Sequence, residues 1–336
     1  MEKKRLSYID IAKGILILFL LMGHALLFIR NEGIDDGFIN GFQRLRLYLW
    51  TPYYMPAFFV ITGFWSKFGK PFPTFLWQNF KTLKIPAMIF GTFLAAVTMI
   101  NHRTLSVSAM FRHVGLCWID SGLWFLDALF ISKMLYWFIL HFWKSKKVAL
   151  MACLMLFSVG FALYRYFNAF KDFGSMYHAF MMTIFLLVGH WLKSSNEKIM
   201  KFRVFLFLFA IYVMVVCSVP VIGKGVPFIT NKIKLEEISL PYFFILSIFG
   251  SLIIIYLSKV INRNQLLQYI GQNSLVYYML NTFALNITVK LFAPYMDTRL
   301  MCILLYITVL LLTCGILTLI NWIVNCKYIR YALGKF

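Results

Sequence analysis

Two side chains in the first apolar stretch of this chain could do chemistry together. Lys13 and His24 stand eleven positions apart within Tyr8–Ala25. At about 3.6 residues per turn that spacing puts them on one helix face, roughly 16 Å apart along the axis. An ionisable group in a membrane span costs about 2.5–3.5 kcal/mol on insertion scales, so it is read first as functional. An imidazole, with an ordinary pKa of about 6.5, can take the proton of an attacking hydroxyl. An ammonium on the same stripe can hold an anionic group, so the pair offers two fixed points for one long ligand. The bland readings are a hydrogen-bonded packing histidine and a lysine that snorkels to the interface. Asp10, one turn before Lys13, either orients that ammonium or caps the helix, where an acid is favoured electrostatically.

The helix that must position these groups is one of many. Apolar residues make up 61% of 336 positions, aromatic residues 19% and charged residues only 13%, whereas soluble domains are about 45–50% apolar. Runs of about twenty apolar residues, the length that crosses roughly 30 Å of hydrocarbon, recur to the C-terminus. They predict an all-α, polytopic membrane helix bundle of about ten spans: 9–29, 47–66, 84–101, 121–142, 147–165, 175–192, 204–222, 239–259, 269–290 and 300–324. The first segment is too long and too polar at its start for a cleavable signal peptide, and Ser7 with Asp10 fits a capping pattern. Both termini are expected in the cytoplasm, because Lys and Arg are then in excess on that side. The net charge of +21 therefore follows membrane topology and not nucleic-acid binding. The six cysteines are scattered without a CxxC pair and match neither a zinc site nor a disulfide framework; no metal is expected. No linker or soluble module interrupts residues 1–336, which are read as a single domain. Any chemistry must then occur among the helices.

The second span holds Pro52 and Pro56, which free backbone carbonyls that protein or water must satisfy in a membrane. Gly63 allows another helix to approach closely. A basic cytoplasmic loop is expected next, with Lys67, Lys70, Lys81 and Lys84, before Pro86. In the fourth span, Asp127 and Lys133 lie six residues and about 240° apart, so they do not pair with each other. Trp124 and Phe125, at the outer end of that span, could stack on a sugar ring, although a membrane-interface belt is the usual place for Trp. Of the remaining histidines, His178, His190 and His141 are expected at the interface, and His102 and His113 in or beside an outer loop.

The stretch around Lys13 and His24 resembles the first helix of the membrane-bound acyltransferase 3 family, whose hallmark is Arg or Lys, ten residues, then His. Met55–Trp65, Leu123–Phe130 and Ile270–Asn281 resemble further segments of its branch of fucose 4-O-acetylase-like and intercellular-adhesin C proteins. The sequence departs from that pattern at Tyr54, where His is common, at Thr62 for Ser, and at Asn281, which replaces a late His.

The resemblance implies transfer of an acyl group, usually acetyl from acetyl-CoA as co-substrate, to a hydroxyl of a surface carbohydrate or lipid-linked sugar. It maps His24 onto the family's essential histidine and Lys13 onto its Arg or Lys. On this reading His24 is the general base, Lys13 binds or orients the donor, and Lys81, Lys84 and Lys133 are expected as further contacts to the donor's phosphates. Asp127 then binds acceptor hydroxyls or the catalytic His, or forms a structural ion pair with another span. Trp124, Phe125, Tyr54 and Asn281 are the substrate-side candidates. Membrane lipids are the expected surroundings, in a bacterial plasma membrane, and a homo-oligomer is compatible with the sequence. A transporter or exporter of a glycan is the rival reading, and a silent relative acting in assembly is a third.

Overall fold

In a computed structural model, helices form every regular element among the described residues, which are 6–166, 174–199, 201–218, 240–326 and 330–334. Eight of their helices are long and apolar enough to cross a membrane. The expected spans at 47–66 and 204–222 form shorter helices of 15 and 17 residues. Positions 219–222 and 239, the expected ends of two spans, lie outside the described residues.

The chain divides into two compact units, each discontinuous in sequence: Met1–Phe58 with Glu197–Ile323, and Phe59–Asn196 with Val324–Phe336. The division falls inside a helix, between Phe58 and Phe59, so no Gly- or Ser-rich linker marks it.

The first unit contains α1 (Ser7–Asn31), α2 (Gly37–Leu49) and the start of α3 (Thr51–Trp65). α1 starts after Leu6 with no side-chain cap. The expected Ser7 cap does not form, because Ser7 is already the first helical residue and its hydroxyl donates to the Asn262 carbonyl at 3.4 Å. Residues 30–46, expected as an outer loop, instead contain α2. Asp36 caps it by accepting from the backbone N–H groups of Phe38 and Ile39 at 2.7 and 3.3 Å. Ile39 then enters an apolar cluster with Leu26 and Ile29 of α1, and Phe38 and Phe42 pack against it.

Proline chemistry in α3 is resolved by a neighbour. Pro56 has no N–H to give the Pro52 carbonyl one turn earlier. Ser247, on α11 (Leu240–Ile261), donates its hydroxyl to that carbonyl at 2.7 Å. Close backbone approach sets α1 against the short helix α12 (Gln265–Gln272). A Cβ at Gly14 would collide with the Leu267 carbonyl, and one at Gly271 with the Asp10 carbonyl. The expected span at 269–290 is accordingly split: its first turn belongs to α12, and α13 covers Ser274–Phe292. α10 (Phe202–Ser218) and α14 (Arg299–Val324) complete the described helices of this unit, the last residue of α14 lying in the other.

In the second unit the expected basic loop is largely helix. α4 (Phe72–Asn79) runs through a wide π turn at Phe80–Lys84 into α5 (Ile85–Asn101), giving one 30-residue helix that carries Lys81 and Lys84. The wide turn lies just before Pro86, whose missing N–H would interrupt the helical ladder in any case. α6 (Val107–Leu116), α7 (Trp124–Phe142), α8 (Lys146–Tyr166) and α9 (Gly174–Ile199) follow. Reciprocal glycines let α3 and α9 touch: a Cβ at Gly63 would strike the Leu186 carbonyl, and one at Gly189 the Val60 carbonyl.

Ser247→Ala removes the only side-chain donor to the Pro52 carbonyl among the described residues. The expected cost is about 1–3 kcal/mol, that of an unsatisfied buried acceptor. It should appear as a lowered thermal midpoint in detergent, which Ser247→Thr largely restores.

Candidate active site

His24 lies on α1 in the first unit, half-buried. Its Nδ1 is 2.6 Å from Oδ1 of Asn281, a buried residue of α13. The other end of that amide is also fixed, because Nδ2 donates to the Tyr278 carbonyl. With the amide nitrogen committed there, its oxygen faces the ring, so Nδ1 must carry the imidazole proton. Nε2 is left with its lone pair, the state a general base requires.

The helix around His24 is braced by side chains from α2, its C-terminal cap and α14. Trp50 Nε1 donates to the Phe19 carbonyl at 3.2 Å, and the Tyr306 hydroxyl donates to the Met22 carbonyl at 3.1 Å. Trp50 stacks on Phe19 with ring centroids 5.3 Å apart. Arg46 of α2 lays its guanidinium across Gly23, where any Cβ would collide with it. It lies near enough to His24, Tyr54 and Tyr306 to interact with each electrostatically. Tyr54 is thus brought to this neighbourhood, as is Asn281. Lys13 is half-buried on α1, and Asp10 is buried in the first turn of the same helix.

The second unit gathers most of the remaining cations. A cavity of about 520 Å³ is lined by Lys67, Lys70, Lys81 and Lys133, and among the described residues no carboxylate lines it. Lys133 projects over the Phe75 ring at 5.7 Å, and Lys81 over Trp77 at 5.0 Å. Lys70 Nζ is held by Gln78 Oε1 at 2.6 Å. Gly334, with φ of +68°, closes one wall against the Lys81 carbonyl. Four ammonium groups around a space of this size suit a multiply charged anion such as a polyphosphate.

Lys84 departs from that group. It is buried and its Nζ binds Asp127 Oδ1 at 2.6 Å. The other carboxylate oxygen accepts from the Ser121 N–H and hydroxyl at 2.7 and 2.6 Å. Lys84 and Asp127 therefore form the structural ion pair that was one of the alternatives for Asp127. Each satisfies the other's charge in a site where Asp127 is 1% exposed. Phe125 is also core, 6% exposed and edge-on to Phe59 at 5.5 Å, so no ring face is left for a sugar. Trp124 lies against His178 at 4.4 Å. His178, expected at the interface, is fully buried instead, and His190 meets the Tyr136 hydroxyl at 3.0 Å.

The acyltransferase 3 family model, described as an acyltransferase domain, matches residues 6–324. The chain belongs to the acyltransferase 3 family. No curated protein and no solved structure matches it. As a member of that family it is a multi-pass membrane acyltransferase acting on groups other than aminoacyl. The acyltransferase 3 match spans both units, from α1 with His24 to the end of α14, and includes all four lysines of the cavity.

Arg46, whose guanidinium lies against Gly23 next to His24 in the chain, was not singled out by sequence reasoning. A signal was present: Asp36 at a cap position, followed by Phe38, Ile39 and Phe42 at helical spacing, marks an amphipathic helix whose next turn carries Arg46.

The buried pair makes a direct prediction. Asp127→Ala leaves the Lys84 charge without its partner and should destabilise the protein by about 3–5 kcal/mol. The double change Lys84→Met with Asp127→Leu should recover most of that loss, read as thermal midpoints of the purified proteins.

Proposed function

We propose that this acyltransferase moves an acyl group, acetyl in the first instance, from acyl-coenzyme A to a hydroxyl of a surface carbohydrate or its lipid-linked precursor in a bacterial plasma membrane. The observation that carries the reading is the 2.6 Å contact between His24 Nδ1 and Asn281 Oδ1. With Nδ1 bonded to Asn281, Nε2 is the group that takes the hydroxyl's proton as its oxygen attacks the thioester carbon. Asn281 is then a positioning residue that holds the ring. The neutral amide fills, with hydrogen bonding alone, the place where relatives in the resembled branch have a histidine.

The donor assignment rests on charge. A coenzyme A thioester carries several phosphate charges, and the cavity of Lys67, Lys70, Lys81 and Lys133 is the acid-free cationic cavity that suits them. Lys13, on the same helix as His24, is a further donor-side cation. Tyr54 remains a candidate contact for acceptor or acyl group. Family membership favours this enzyme reading over export of a glycan, since acyl transfer is the activity the family's domain describes.

His24→Ala should abolish acyl substitution of the surface glycan while protein level and insertion stay normal, measured by glycan mass and membrane immunoblot. Full acylation in that variant would refute the base assignment. Asn281→Leu should lower turnover by about 10–100-fold, as loss of a group that orients a histidine does, while Asn281→Asp keeps more than Leu does. Replacing Lys70 and Lys133 together with Gln should raise KM for acetyl-CoA several-fold, with a weaker salt dependence than the parent and little change in kcat.

A further inference from the structure

The acyl-transfer step makes a second demand besides a base. When the acceptor oxygen bonds to the thioester carbon, the carbonyl electron pair moves onto oxygen, and this new anion needs a donor aimed at it. Most donors beside His24 are already committed. Asn281 Nδ2 donates to the Tyr278 carbonyl, Trp50 Nε1 to the Phe19 carbonyl, and the Tyr306 hydroxyl to the Met22 carbonyl. Arg46 is different. Its Nε is held by Gln43 Oε1 at 2.8 Å, which fixes the plane of the guanidinium. No carboxylate pairs with it among the described residues, and its Nη1 lies in the space that Gly23 leaves by having no side chain. A half-buried guanidinium without a counter-charge is costly unless an anion joins it at some stage.

Resting on the acyl-transfer reading above, we infer that Arg46 is a catalytic residue whose terminal N–H groups hold the oxyanion of the tetrahedral intermediate. The sequence of events balances. The acceptor O–H proton passes to His24 Nε2 as the C–O bond forms, and the negative charge on the former carbonyl oxygen is met by Arg46. On collapse the C–S bond breaks, and the departing sulfur takes the proton back from His24. Gly23 follows from the same geometry: it is a positioning residue, because only a missing side chain lets the guanidinium lie beside the base.

The test uses the full-length protein in host membranes. Thiol release from added acetyl-CoA gives kcat and KM, and glycan acylation gives the transfer itself. Arg46→Gln should lower kcat by about 10²–10³-fold, the usual loss for an oxyanion donor, with KM for acetyl-CoA nearly unchanged. Arg46→Ala should regain part of its rate on addition of methylguanidinium. Gly23→Ala keeps Arg46 and adds a good helix former, so the protein should be at least as stable, yet its kcat should fall because the new methyl displaces the guanidinium. Parental kcat in Arg46→Gln or Gly23→Ala, or a loss confined to KM, would overturn the inference. His24→Ala separates the two ideas: if it abolishes transfer while Arg46→Gln does not, only the role of Arg46 fails. If His24→Ala leaves transfer intact, the base assignment on which this inference rests fails; if the parent protein itself transfers no acyl group, the acyl-transfer reading fails.

Discussion

A histidine inside a membrane helix can serve as a base only if one ring nitrogen is fixed and the other left open. The Asn281 amide meets that condition in this chain. It is itself held from behind by the Tyr278 carbonyl, so the hydrogen bond to His24 has one sense. The rest of the first unit reads as support for that contact. α13 carries the amide, α1 carries the imidazole, and Trp50 at the end of α2 and Tyr306 of α14 pin the α1 backbone ahead of it.

The same requirement, that no polar group be left alone away from water, explains features of both units that have nothing to do with catalysis. Pro56 deprives the Pro52 carbonyl of a partner, and Ser247 replaces it. Lys84 enters the interior only because Asp127 meets it, and Asp127 is completed by Ser121. By contrast, Lys67, Lys70 and Lys81 of the same basic stretch line the second unit's cavity together with Lys133 of α7, and no Asp or Glu among the described residues lines it.

The spans of α1, α7 and α14 were plain from apolar length, and His24 and Lys13 from their cost inside such a length. Asn281 was visible as a departure in a motif, but its contact with His24 was not, since the two are 257 positions apart. Periodicity failed at the short helices. α2 and α12 begin at Asp36 and Asn264 caps, which are small signals beside the long apolar runs on either side. The helix over Phe72–Lys84 was hidden because four lysines and three prolines in 67–86 look like a loop, and the tertiary partner of Lys84 is not visible in the sequence. Phe125 and His178 were misplaced for a related reason: a ring near the end of a span can be core or belt, and neighbours decide which. The division into two units could not be read at all, because it runs through the middle of α3.

The neutrality of Asn281 has one more consequence. A carboxylate behind the ring would loosen its grip once the surrounding medium became acidic enough to protonate it. A carboxamide has no such threshold, so the aim of the imidazole survives acidification even when its lone pair does not. An enzyme built this way would be silenced by acid and recover at once on neutralisation, with no side chain needing to find its place again.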